Sequence, residues 1–257
     1  MELPFYLEPL GSYHEIISHP YNVDEAVSVA VFHEHRIAFY YWADWTKGII
    51  HGRPKEQPPT LVTFDWHEDT ASPCADECRE LEELDLSRLS NIAFFSWAKL
   101  NPLNDGHILS AAYLNLLADI FIVCKQKIGD HPVLTDIYGN EHRIYCFSCA
   151  EEMRQVLVQY SSEREIYLDV DLDFFTESDD PHGGGNNISL VSESVIESIF
   201  NPHSTIMKFV LPRLAGMTIA LEPEFCGGIS NMYALFHALE KSIFNGALLS
   251  GKTTWKK

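Results

Sequence analysis

The sequence predicts an α/β protein: a three-layer α/β/α arrangement with helices on both faces of a mostly parallel central sheet. Two observations carry this. Short continuous apolar runs, rich in β-branched and aromatic residues, recur along the chain, and segments of helical periodicity alternate with them. At 257 residues, 46% hydrophobic and 21% charged, the chain can bury an ordinary core. No linker, low-complexity tract or repeat divides it, so residues 1–257 read as a single domain.

The apolar runs predict strands at Val27–Phe32, Thr60–Phe64, Ile92–Trp97, Ile120–Cys124, Arg143–Cys146, Glu165–Val170 and Met217–Leu221. Helices are expected at Ala75–Leu86, Gly106–Ala118, Cys149–Tyr160, Leu190–Phe200 and Ile229–Phe244. Ser148, ahead of Cys149-Ala-Glu-Glu, reads as an N-cap followed by acids in the first turn. Asn140, after Gly139, suggests a small hairpin over Leu134–Arg143. The stretch from Pro181 to Asn187, with three glycines, reads as an irregular loop that either lines a site or simply connects.

Composition excludes some partners. The formal charge is −19, from 37 acidic against 18 basic residues. That disfavours nucleic acid, whose phosphates need cations, and favours positively charged partners. No apolar run is long enough to predict a membrane span, and the start Met-Glu-Leu-Pro-Phe-Tyr lacks a basic, then apolar, export signal. A cytoplasmic location is expected, and oligomerisation is left open. Of the six cysteines, Cys74, Cys78, Cys146 and Cys149 offer a zinc site, set against the plainer reading of unpaired thiols.

The residues that carry chemistry stand at strand ends. In Leu61-Val-Thr-Phe-Asp-Trp-His-Glu-Asp69 an apolar strand runs into Asp65, His67 and Asp69 at alternate positions, which share one side of an extended chain. Ile166-Tyr-Leu-Asp-Val-Asp-Leu-Asp173 repeats the construction with Asp169, Asp171 and Asp173. Either pattern alone is short enough to be capping or surface decoration. Two of them at the ends of two strands are different, because in parallel sheets ligands bind beyond the strands' carboxyl ends. Carboxylates clustered there repel one another unless a cation joins them, and no Lys or Arg is adjacent. Imidazole mixed with carboxylate suits divalent manganese, iron or zinc.

Asp-x-His-x-Asp followed far downstream by Asp-x-Asp resembles the signature of the ureohydrolases, the arginase and agmatinase superfamily. His35, after the strand Val27–Phe32, resembles the family's upstream histidine, with His33 as the alternative. The resemblance spans residues 30 to 226 and rests on motifs rather than continuous similarity. It implies the arginase-like fold and two Mn2+ ions held by His35, Asp65, His67, Asp69, Asp169 and Asp171. Asp65 and Asp169 would bridge, with His35 and Asp69 completing one ion and His67 and Asp171 the other. It further implies hydrolysis of a guanidinium to urea and an amine, by a hydroxide held between the ions, with Asp69 taking the proton. A glutamate after a late strand would pair with the guanidinium; Glu222 and Glu224 both follow Met217–Leu221, and Glu224 is preferred. His107, in Asn104-Asp-Gly-His107, is a candidate proton donor to the leaving amine, or a structural histidine.

The departures from the family point to a substrate. Val31-Phe32-His33 stands where the family has Gly-Gly, Asp171-Leu-Asp-Phe-Phe175 replaces Asp-Gly-Leu-Asp-Pro, and no loop matches the one reading the α-amino and α-carboxylate groups of free arginine. These features look more like the peptide arginase branch, whose members convert arginine within a peptide to ornithine. Two alternatives remain: a metal-dependent deacetylase of similar fold, which would need a His-His pair that is absent at the strand ends, and an acidic interaction protein with a purely structural metal.

Overall fold

The computed structural model describes residues 8–52, 58–126, 133–159, 164–180, 182–185 and 187–257. The N-terminal segment 1–6, Tyr160, Pro181 and Asn186, on which some sequence expectations fall, lie outside the described residues. In chain order come β1 (Ser12–Ser18), β2 (Ala26–Phe32), a 3-10 turn (His35–Ile37), α1 (Ala38–Gly52), β3 (Thr60–Asp65), α2 (Ala75–Glu82), α3 (Leu89–Ala98), α4 (His107–Tyr113) and β4 (Ile120–Cys124). There follow β5 (Leu134–Thr135), β6 (Glu141–His142), β7 (Ile144–Phe147), α5 (Ala150–Gln159), β8 (Ile166–Asp171), a 3-10 turn (Leu172–Phe175), β9 (Thr176–Ser178) and β10 (Ile188–Leu190). The chain ends with α6 (Glu193–Phe200), α7 (Thr205–Val210), a 3-10 turn (Leu211–Arg213), β11 (Leu214–Ala220), α8 (Ile229–Ile243), β12 (Phe244–Asn245) and β13 (Thr254–Trp255).

Seven strands form the main sheet in the order β1-β2-β11-β8-β3-β4-β7. All neighbours are parallel except the edge strand β1, which runs antiparallel to β2. Every residue of β3, β4 and β8 is buried, which is why these strands read as continuous apolar runs. Strand alternation sends Leu61 and Tyr167 into a core shared with α1 to α4, and Val62 and Leu168 into one shared with α5 to α8. Helices thus cover both faces, as expected. Gly216 in β11 is required by α1, since a Cβ there would lie 2.4 Å from the Trp45 ring.

Several elements differ from expectation. Ile92–Trp97 is part of helix α3, not a strand: Ile92, Phe95 and Ser96 are buried while Phe94 and Trp97 are exposed, a helical spacing that a six-residue apolar run conceals. Helix α4 stops at Tyr113 because Asn115 adopts φ +56°, so the expected extension to Ala118 is not formed. Ile188–Leu190 pairs with β9, and α6 begins only after Ser192. The hairpin within Leu134–Arg143 forms, by pairing of β5 with β6. At Ser148 the roles reverse: its N–H and Oγ–H both donate to Glu152. All six cysteines are free, and no cysteine joins the clusters able to hold an ion among the described residues, so the zinc reading is not realised. No described helix is long and apolar enough to cross a membrane.

Candidate metal centre

The sheet register brings the two sequence motifs together. Thr63 in β3 pairs with Asp169 in β8, and Thr218 in β11 pairs with Asp169 from the other side. Asp65 and Asp171, two residues further along each strand, therefore stand one level above Asp169, at the carboxyl edge. Asp173 follows in the 3-10 turn after β8, and His35 opens the 3-10 turn after β2. Asp69 reaches the same volume through a turn at φ +49° rather than by continued extension.

His35 is the hub. Its Nδ1 lies 3.2 Å from Asp65 Oδ2, 3.1 Å from Asp69 Oδ2 and 3.2 Å from Asp171 Oδ2. Its Nε2–H donates to Asp169 Oδ2 at 2.8 Å. A second group adjoins: His67 Nδ1 lies 3.5 Å from Asp65 Oδ1 and 3.3 Å from Asp173 Oδ2, while Nε2–H donates to the His182 carbonyl at 2.9 Å. His35 Nδ1, Asp65 Oδ2 and Asp173 Oδ2 are buried without a hydrogen-bond partner. Buried polar atoms are rarely left so, and each costs about 1–3 kcal/mol unless something joins them. Imidazoles that turn one nitrogen to a carboxylate cluster and anchor the other on a carboxylate or carbonyl have the arrangement of metal ligands. The residues present fit a divalent-cation centre.

The electrostatics of the metal-free cluster agree. Burial, then the charge of Asp65, raises Asp69 well above the usual carboxylate range; burial, then Asp173, does the same for Asp171. Asp173 is raised by burial and by Asp65. Burial works on Asp65 in the same sense, but the neighbouring imidazoles of His35 and His67 outweigh it and hold that carboxyl low. Burial depresses His67, yet Asp173 and Asp65 outweigh it and lift the imidazole to about 12. Protons are therefore held where cations would neutralise the site.

The expected residues separate into those the structure gathers and those it does not. His35 is buried in the cluster, whereas His33 is exposed and lends only its carbonyl, to Glu222 N–H. Asp169, expected to bridge, sits below the cluster with both oxygens engaged: Oδ2 by Thr63 and His35, Oδ1 by Thr218. Asp173, outside the expected ligand set, takes a place in the cluster instead. Glu222 is buried and accepts from His35 N–H at 2.8 Å and Asn104 Nδ2–H at 2.6 Å. Burial foremost, with the charges of Asp173 and Asp65, raises it to about 7. Glu224, the preferred candidate, is exposed and stands away from the cavity lining, because the chain turns back after Pro223 to Gly228.

His107 is fully buried behind His35, with ring centroids 4.3 Å apart, and stacks on Trp42. Its Nδ1–H donates to the Asn104 carbonyl at 3.0 Å, and burial, then the His35 charge, holds its pKa well below the usual value. It does not line the cavity, so the structure gives it no direct path to a leaving group there.

The cavity above the cluster has a volume of about 470 Å3, walled by residues that include His35, His67, Glu68, Asp69, Asn104, Asp105, Asp171, Glu222 and Phe225. Among the described residues, no lysine or arginine lines it. Asn104 and Phe225 were not singled out as functional residues from the sequence; Phe225 meets His67 edge-on, with centroids 5.2 Å apart. Among the described residues, Asp69, Asn104 and Glu222 are three of five non-glycine residues at positive φ. Such strain persists where surrounding structure enforces it, and it concentrates at functional sites. Of the expected loop, Gly183 packs against Trp66, where a Cβ would lie 2.9 Å from the indole, and Gly184 packs against Phe225.

No family model and no curated protein matches the chain. Among solved structures it is similar to proclavaminate amidino hydrolase from Streptomyces clavuligerus, with a TM-score of 0.44 and 14% identity over 82% of this chain and 60% of that one. It is also similar to a hypothetical agmatinase from Burkholderia thailandensis, with a TM-score of 0.42 and 17% identity over 82% of this chain and 55% of that one. The chain spans less than two thirds of the length of either.

Proposed function

We propose that this chain is a binuclear, manganese-dependent hydrolase that opens the guanidinium of an arginine residue within a peptide, releasing urea and leaving ornithine. The observation that carries the reading is the pair of adjoining ligand groups that share Asp65, each with an anchored histidine. His35, Asp65, Asp69 and Asp171 would hold one ion, and Asp65, His67 and Asp173 the other. Asp169 would then lie outside the ligand set, as the anchor of His35. The donor set, two imidazoles and four carboxylates, suits Mn2+. Two such ions, when bound, activate water for attack at neutral pH.

The chain's own residues supply the rest. Glu222 binds and orients the guanidinium, and Glu68 and Asp105 make the entrance attractive to a cation. Asp69 lines the cavity beside His35 and is placed to take a proton and pass it to the leaving amine. Among the described residues no lysine or arginine lines the cavity to receive the α-carboxylate of free arginine, which supports an arginine whose carboxyl group is in peptide linkage.

The test is urea release from an arginine-containing peptide, free arginine and agmatine, with and without manganese. The peptide should be the best substrate and chelation should abolish turnover. Free arginine as the best substrate would overturn the peptide assignment, and metal-independent turnover the mechanism. A binding consequence is separable. Adding manganese to chelator-stripped protein should raise Tm, by about 4 kcal/mol of stabilisation per site at a thousand times Kd. Binding must expel the protons that Asp69, Asp171, Asp173 and His67 hold, because their metal-free pKa values are raised. Lower pH therefore favours the protonated, metal-free form, and the shift in Tm should shrink on acidification.

A further inference from the structure

Resting on the reading of Glu222 as the guanidinium acceptor, a second acceptor can be identified. Both hydrogen bonds to Glu222, from His35 N–H and from Asn104 Nδ2–H, fall on Oε1. That leaves Oε2 for the cavity Glu222 lines, so this carboxylate does not offer two free oxygens to one ligand. A guanidinium is a planar fork whose N–H groups are best met by two acceptors side by side.

We propose that Asn104 determines specificity at this site: its Oδ1 and Glu222 Oε2 form the acceptor pair that receives a substrate guanidinium. Asn104 lines the same cavity, and its Oδ1 is buried without a donor. The amide cannot rotate to relieve this, because reversing it would turn a carbonyl oxygen towards Glu222 and lose the donated bond. The backbone fixes the side chain as well: Asn104 sits at φ +61°, a conformation asparagine tolerates, with its carbonyl held by His107 Nδ1–H. A neutral acceptor next to Glu222 completes the pair without adding a further charge to a crowded acidic site. A lysine ammonium has no fork to match and is served by Glu222 alone, so Asn104 is what separates arginine from lysine here.

The test measures binding of two short capped peptides, identical except for a central arginine or lysine, to the manganese-loaded protein by calorimetry, with urea release followed in parallel. Wild type should prefer arginine. Asn104→Gly keeps the left-handed backbone, and with it the carbonyl bond to His107, while deleting the side chain. It should weaken the arginine peptide about tenfold and leave the lysine peptide unchanged, as expected for one lost bond to a charged group. Glu222→Gln should weaken both. Metal content and Tm of Asn104→Gly should match wild type; if it does not fold, Asn104→Ala is read in the same way. Equal loss for both peptides, no loss for either, or no preference in wild type would overturn the proposal. A wild type that shows the preference but releases no urea would leave this inference standing and remove the hydrolase reading.

Discussion

Asp171→Asn should leave the protein unable to hold two divalent ions even in excess metal, and urea release should fall by at least ~10³-fold. Asp169→Asn, the same chemical change two residues earlier on the same strand, should still bind two ions. The contrast follows from sheet register. Asp171 stands level with Asp65 at the carboxyl edge, within 3.2 Å of His35 Nδ1. Asp169 lies one level lower, paired with Thr63 and Thr218, and touches the opposite nitrogen of the same imidazole. Losing its charge weakens the anchor on His35 rather than the ligand set, which costs roughly 10- to 100-fold in metal affinity. Raising free manganese should then restore most turnover. Metal content and activity titrated against manganese read both effects. If Asp169→Asn lost the ions and Asp171→Asn kept them, the ligand pair would return to the lower register.

That register marks the boundary of what was legible in the sequence. The strand ends, their apolar runs and the alternation of acids were visible because fully buried parallel strands leave an unbroken apolar pattern. Which of Asp169, Asp171 and Asp173 sits at the edge was not visible, since alternation puts all three on one side and says nothing of height. Height is set by pairing with Thr63 and Thr218, contacts across more than forty positions of chain. Helix α1 was missed for a related reason: Ala38 to Ala43 are all buried, so the first part of the helix shows no polar face by which periodicity could reveal it. Strand β1, Ser12–Ser18, lies at the sheet edge with Ile16 and Tyr13 exposed, which blurs the in–out pattern. The choice between His33 and His35 turned on where extended chain gives way to the 3-10 turn, a boundary that local sequence marks poorly.

The two glutamates after β11 show the same limit and give the second large expected effect. Both follow an apolar strand within four residues, and local pattern does not rank them. In the structure Glu222 takes φ +34° and points its carboxylate back to His35 N–H, while Glu224 is carried outward by the turn that ends at Gly228. Glu222→Gln keeps the size of the side chain and removes the charge that meets a guanidinium. A hydrogen bond to a charged group in a buried site is worth about 3 kcal/mol, so kcat/KM should fall roughly 10²-fold. The amide also brings an NH2 group to a position where two donors already converge on Oε1, so it must turn its oxygen towards them and present N–H to the substrate. That mismatch adds to the loss and should appear in KM as well as in kcat. Glu224→Gln should change neither constant, and both variants should bind the full complement of metal. Steady-state urea release across peptide concentration decides the matter: a loss confined to Glu224→Gln would transfer the role to that residue and with it the placement of the substrate in this cavity.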